Sequence, residues 1–204
     1  MQFTTPDMRK ITISDKSEAC DFIKDSCKEC NRKYECTGEN AAFCNHMKNI
    51  LVAKYGAAEG CLKESRIRHS MGVANFLFAY AKSHDWSKEE TEDLYLTGLL
   101  HDIGYIDNPK GTDHGRLGAE ILKRNGLNAE ICELISCHGR FIENPSRKQA
   151  LLWLADLCVN RDGDYIGYQK RYESIKERYK NDPERLFQVY RILEYLQIHF
   201  SEYR

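Results

Sequence analysis

Proline is scarce: four residues in 204, at positions 6, 109, 145 and 183. Proline breaks helix interiors, so its rarity leaves long uninterrupted windows for helices. Strand-like alternation of apolar and polar residues is also missing after residue 50 or so, which argues against a β-rich core. Charge of one sign is lacking as well, since 30 Lys and Arg stand against 31 Asp and Glu, a net charge of −1. No global basic field therefore argues for nucleic acid, and no clear nucleic-acid surface is expected. A run of about 18 apolar residues is absent, so no membrane-spanning helix is expected. The opening MQFTTPDMRKITISDK has no apolar stretch of the kind a signal peptide needs, which makes the cytoplasm the expected compartment.

Cysteine, by contrast, is abundant, with nine in the chain. Cys20, Cys27, Cys30, Cys36 and Cys44 crowd into one short polar stretch. Cys61, Cys132, Cys137 and Cys158 are scattered through helical-looking segments, where a buried thiol acts as a small hydrophobe. An odd count without an export signal favours a metal site or free thiols over disulfides. Cys27, Cys30, Cys36 and Cys44 supply four thiolates, a set that suits structural zinc or an iron–sulfur cluster. Cys20 or His46 can replace one of them, and a segment of free thiols is the plain alternative. The expected organisation is a Cys-rich N-terminal module over 1–48 and an all-α domain over 49–204.

Helix signals recur through that second region. Residues 62–82 carry Ile67, Val73, Phe76, Leu77 and Tyr80 at helical spacing. Ser87 stands three before Glu90, a capping box, and Leu94, Leu96, Leu99 and Leu100 follow. Asn108-Pro109-Lys110-Gly111 reads as a loop. Residues 114–125 read as a helix stopped by Asn125-Gly126. Asn128 caps a further helix that runs to His138, Asn144-Pro145-Ser146 opens another, and Asp182-Pro183 starts the last. Seven or eight helices result. Trp86 and Trp153 are expected in the core, His84 and His199 on the surface. Tyr165, Tyr168, Tyr172 and Tyr179 either pack a terminal helix or line the mouth of a site. The final helix packs inside the fold or against a second subunit, as in a homodimer.

Polar residues in apolar helical settings carry the chemistry. His69 lies on the face of Val73 and Phe76. His101-Asp102 ends an apolar run, His114 opens a helix, His138 ends one, and Asp156 sits within LLWLADLC. A buried ionised carboxylate without a partner costs several kcal/mol or more. Each residue alone reads as a satisfied core contact. The ordered set reads better as imidazole and carboxylate ligands for Fe, Mn, Zn or a similar ion, converging from several helix ends.

These residues, with LLHDIG around His101-Asp102, RIRHS from Arg66 to Ser70 and LADL around Asp156, resemble the HD-domain superfamily of metal-dependent phosphohydrolases over residues 60–160. The resemblance implies an all-α HD-domain helical bundle. It implies one divalent metal held by His69, His101, Asp102 and Asp156, and a second at His114 and His138 with Asp102 shared. It further implies hydrolysis of a phosphate ester or nucleotide by a metal-activated water. Metal ions lower the pKa of bound water and neutralise phosphoryl charge. His101, Asp102 and Arg66 are the candidate catalytic residues, Arg66 touching substrate phosphate or pairing with a ligand carboxylate. Many relatives carry lysine after HDIG where this chain has Tyr105. Lys110, Arg116 and Arg140 are the candidate substitutes for binding a small phosphorylated substrate, nucleotides among the options; each also reads as a solvated surface charge. Some proteins of this fold are mixed-valent di-iron oxygenases, and others bind a ligand without turnover; both stand as alternatives.

Overall fold

A computed structural model of the chain describes residues 2–4, 10–12, 64–106, 111, 113–124 and 126–204. The Cys-rich stretch with Cys27, Cys30, Cys36 and Cys44, the boundary at 48, and Lys110 lie outside the described residues. Near the N-terminus, β1 (Gln2–Thr4) and β2 (Lys10–Thr12) pair antiparallel with Phe3 opposite Ile11. The rest of the described chain is α-helical, as expected: α1 (Glu64–Ser83), α2 (Lys88–Leu100), α3 (His114–Arg124), α4 (Ala129–Cys137), α5 (Arg147–Cys158), α6 (Tyr168–Arg178) and α7 (Pro183–His199). Short 3₁₀ turns cover Ile103–Ile106 and Ser201–Tyr203. None of the described helices is long and apolar enough to cross a membrane.

Local chemistry sets the helix ends. The Ser87 side chain accepts from the Glu90 N–H while Glu90 reaches back to the Ser87 backbone, completing the capping box of α2. Asn128, Ser146 and Asp182 each cap the following helix through their side-chain oxygens. Caps of this kind contribute about 1 kcal/mol apiece. Gly126, with φ of 79°, takes the left-handed turn that ends α3.

The core is organised around α5, in which every residue from Gln149 to Ala155 is buried, as are Leu157 and Cys158. A helix apolar all round belongs at the centre of a bundle. One apolar cluster joins α5 to Val73, Phe76 and Leu77 of α1 and to Ile192, Leu193 and Leu196 of α7. A second joins Leu100 and Ile103 to Ile121 and Leu122 of α3 and Ile131 and Ile135 of α4. Thus α7 packs its apolar face inside the fold, leaving Phe187, Tyr190 and Ile198 exposed. Trp153 is buried, and half-buried Trp86 is covered by Arg147, 4.8 Å from its ring. His84 and His199 are exposed, as read from the sequence. Tyr165 and Tyr168 pack the C-terminal elements: Tyr168 is buried, and Tyr165 stacks on Phe76 and donates to the Tyr203 carbonyl.

Two glycines let the layers close where the polar residues gather. A Cβ on Gly104 would lie 1.9 Å from the His114 carbonyl oxygen, so only glycine lets the turn after Asp102 touch the start of α3. A Cβ on Gly115 would meet the Ile135 and Ser136 carbonyls at 2.9 and 3.0 Å, so α3 approaches the end of α4 equally closely.

Candidate metal centre

Five elements converge on one buried point. His69 comes from the first turns of α1, His101 and Asp102 from the end of α2, His114 from the first residue of α3, His138 from the cap of α4, and Asp156 from the last turn of α5. Three overlapping groups each bring their ligand atoms within 4.8 Å of one another: His69, His101 and Asp102; His101, His138 and Asp156; Asp102, His114 and His138. All six sequence candidates are therefore brought together. His69 Nε2 lies 2.9 Å from Asp156 Oδ1, and His101 Nε2 lies 3.5 Å from Asp102 Oδ2 and 3.9 Å from Asp156 Oδ1. On the other side, His114 and His138 Nε2 lie 3.5 and 3.7 Å from Asp102 Oδ1. Asp102 therefore turns one oxygen toward each half of the cluster.

The aim of the four imidazoles is fixed from behind. The Nδ1 atoms of His69, His101, His114 and His138 face the carbonyls of Asn160 (3.1 Å), Gly98 (2.8 Å), Gly111 (3.0 Å) and Ile135 (2.6 Å). A carbonyl only accepts, so each Nδ1 carries the proton. At His101, His114 and His138 each Nε2 then presents a lone pair inward, the tautomer of a metal-ligating histidine. His69 Nε2 faces the Asp156 carboxylate, itself an acceptor, so a proton or a cation must lie between those two as well. The consequence is an inventory of unmatched acceptors. His101 Nε2 is buried with no hydrogen-bond partner. His114 Nε2 and His138 Nε2 face each other at 2.8 Å, a distance two lone pairs tolerate only with a proton or a cation between them. The donor set of four imidazoles and two carboxylates fits a divalent transition metal.

The electrostatics agree with this inventory. Burial pulls His101 down to about 4, and burial with the neighbouring His138 pulls His114 down to about 3. Burial works against the Asp102 carboxylate, but His101 and Arg66 hold it well below the usual range. Asp156 is lowered too: burial opposes this, and the His69 hydrogen bond outweighs it. His138 is raised because contact with Asp102 outweighs its burial.

Around this point stand residues of two kinds. Arg66 donates to Asp102 Oδ2 at 2.6 Å, so it pairs with a ligand carboxylate. Its guanidinium also lies 3.5 Å from the centre of the Tyr105 ring, whose other face stacks on His114 at 4.1 Å. Tyr105, standing where many relatives have lysine, is thus clamped between a cation and a ligand. Arg116 and Arg140 are exposed, Arg116 paired with Asp113 and Glu120, Arg140 against Cys137 Sγ. The carbonyl partners, the Tyr105 stack and the Arg185 donor to the Gly111 carbonyl escaped the sequence reading, since each is a tertiary contact.

The helical bundle and its clustered His and Asp side chains define a class, and comparison with known proteins gives the same one. The chain belongs to the HD domain family, whose pattern matches residues 66–186, more than half of its length. Members of that superfamily are mostly metal-dependent phosphohydrolases. The chain is 35% identical over 92 residues to ribonuclease Y of Fervidobacterium nodosum, an alignment covering 41% of this chain and 18% of the relative. It is 31% identical over 77 residues to an uncharacterised protein of Methanocaldococcus jannaschii, covering 37% of this chain and 45% of the relative. The chain thus spans less than half the length of either curated relative.

Proposed function

We propose that this protein is a metal-dependent phosphohydrolase that cleaves a phosphate ester or nucleotide with a metal-activated water. The observation that carries the reading is the four inward-facing Nε2 atoms around Asp102 and Asp156, one of them buried without a partner. In this reading His69, His101, Asp102 and Asp156 hold one divalent ion, and His114 and His138 hold a second with Asp102 shared. Ions bound there would lower the pKa of water and neutralise charge on the phosphoryl group. Arg66 keeps Asp102 ionised and oriented. Tyr105, its phenol raised by burial and by Asp102, stays a neutral hydroxyl rather than a cation. Residues 49–204 form the hydrolase unit, and the Cys-rich 1–48 a separate module for zinc or an iron–sulfur cluster.

The test is metal analysis of protein purified without added metal or chelator, on wild type and the double variant His101→Ala, Asp102→Ala. Turnover of p-nitrophenyl phosphate, bis-p-nitrophenyl phosphate and nucleotides is measured beside it. About two ions per chain, lost in the variant together with turnover, support the reading. A variant that keeps all its metal, or a wild type that holds only thiolate-bound zinc, sinks it. Bound iron with oxygen uptake and no phosphoester turnover would favour the di-iron oxygenase alternative, and bound metal with neither activity a ligand-binding protein.

A further inference from the structure

Arg116 and Arg140 are exposed, whereas α6 carries basic residues that face inward and have no carboxylate partner among the described residues. The buried face of α6 runs through Tyr168, Arg171 and Ile175, and Arg178 follows at the next step of that spacing. This face packs toward α5, the helix that holds Asp156. Arg171 is only 6% exposed, and its Nε is buried without a hydrogen-bond partner. Among the described residues, no carboxylate lies within ion-pair distance of Arg161, Arg171 or Arg178. Among the described residues, Arg178 contacts the ring and hydroxyl of Tyr179. Burial and mutual repulsion with Arg178 and Arg161 depress the Arg171 guanidinium, while Asp156 and Asp102 attract it. Arg161 is depressed for the same reasons, by burial and then by Arg178 and Arg66. A buried, unmatched arginine among like charges is a costly arrangement in the absence of an anion. The cluster is not sealed: the Asp156 side chain is 26% exposed and that of Arg66 25%.

We propose that Arg171 and Arg178 form an anion subsite beside the metal centre that holds a phosphate other than the one attacked. Seven residues of helix separate them by about 10 Å. That spread suits a chain of two or three phosphates, so the substrate class is a di- or polyphosphate ester such as a nucleoside di- or triphosphate. Arg171 is the inner anchor and Arg178 the outer one, and Arg161 reinforces the field from the loop before α6. Tyr105 then needs no positive charge, because the cations that select the substrate come from another helix.

The inference rests on the phosphohydrolase reading. Its test is equilibrium dialysis of methylenebisphosphonate and of methylphosphonate against metal-loaded protein, for wild type, Arg171→Gln, Arg171→Lys and Arg178→Gln. The expected result is that Arg171→Gln weakens the bisphosphonate about tenfold or more, with methylphosphonate changed less than about threefold. Arg171→Lys recovers part of the loss, and Arg178→Gln gives a smaller loss of the same selectivity. Wild type binding both probes equally overturns the inference, as does a folded, metal-bearing Arg171→Gln protein with unchanged bisphosphonate affinity. Should Arg171→Gln fail to fold or lose its metal, Arg178→Gln decides, and unchanged affinity there overturns the inference. Absence of metal from wild type would instead defeat the underlying hydrolase reading, whatever the arginine variants do.

Discussion

The two halves of the His and Asp cluster are built differently. In the half formed by α1 and α5, His69 Nε2 meets Asp156 Oδ1 at 2.9 Å, an imidazole set against a carboxylate. In the half formed by α3 and α4, His114 meets His138 at 2.8 Å, an acceptor matched by another acceptor. The first half sits against the larger apolar cluster around α5, the second against the smaller one around α3 and α4. Both halves hold unmatched acceptors, His101 Nε2 among them in the first, but the first has a carboxylate of its own in Asp156, whereas the second has only a share of Asp102. A site assembled this way would fill unevenly, and its weaker position is the one whose ligands depend most on the ion to coexist.

The largest effect is expected from removing the residue common to both halves. Asp102→Ala should abolish binding of both ions and lower phosphoester turnover at least about a thousandfold. Metal analysis and initial rates check this; retention of one full ion would show that the halves do not share Asp102. Removing His138 should separate them. His138→Ala is expected to keep about one ion per chain while His69→Ala loses more, because the second half alone has the poorer donor balance. Equal losses in the two variants would erase the distinction drawn here.

A third effect concerns acidity, measured on metal-free protein by urea midpoints across pH. His101 and His114 are depressed to about 4 and about 3 from an ordinary 6.5, so between those values the unfolded chain binds more protons than the folded one. Stability should therefore fall as pH drops from 6.5 toward 4. Asp102 and Asp156, held low, add stability that is present above the ordinary carboxylate range and lost only at still lower pH. His138 is raised, so its contribution has the opposite sign: present below 6.5 and lost as pH climbs through its folded value. A midpoint that stays flat or rises from pH 6.5 to 4 would contradict the neutral state of His101 and His114. Saturating metal should steepen the dependence, because bound imidazoles stay unprotonated while those of the unfolded chain titrate.

The smallest effect belongs to Tyr105. The ring, clamped between Arg66 and His114, should matter more than the hydroxyl. Tyr105→Phe is expected to leave metal affinity unchanged. Tyr105→Ala should weaken the second ion about three- to tenfold, in line with a cation–π and stacking loss of about 1 kcal/mol. Competition with a fluorescent chelator reads both, and an equal loss in the two variants would move the role to the hydroxyl.

Much of this was legible in the chain because the decisive signals are local. Ser87, Asn128, Ser146 and Asp182 announce helix starts within one turn, and the helix ends they imply fall at His101, His114 and His138. Apolar surroundings around His69 and Asp156 marked them as buried polar groups in need of a partner. The basic residues were harder to place. Arg116 and Arg140 lie near ligands in sequence, but Arg116 in the first turn of α3 and Arg140 in the loop after α4 are exposed. Arg171 lies fifteen positions beyond Asp156 and reaches the neighbourhood of the centre only through the packing of α6 on α5. Its signal, an arginine on the 168, 171, 175 face of an otherwise apolar stripe, is visible only once that face is known to be buried.

Three of the four imidazoles lean on the carbonyl three residues before them: His101 on Gly98, His114 on Gly111 and His138 on Ile135. Each of these rings is steered by its own turn of chain. Its side-chain rotational freedom is therefore lost when the helix end forms, before any ion arrives and independently of the other ligands. Loading the centre then orders little that is not already ordered. Uptake should be limited by how fast an ion sheds its water and enters, and the emptied protein should keep its imidazoles turned inward, ready for the next ion.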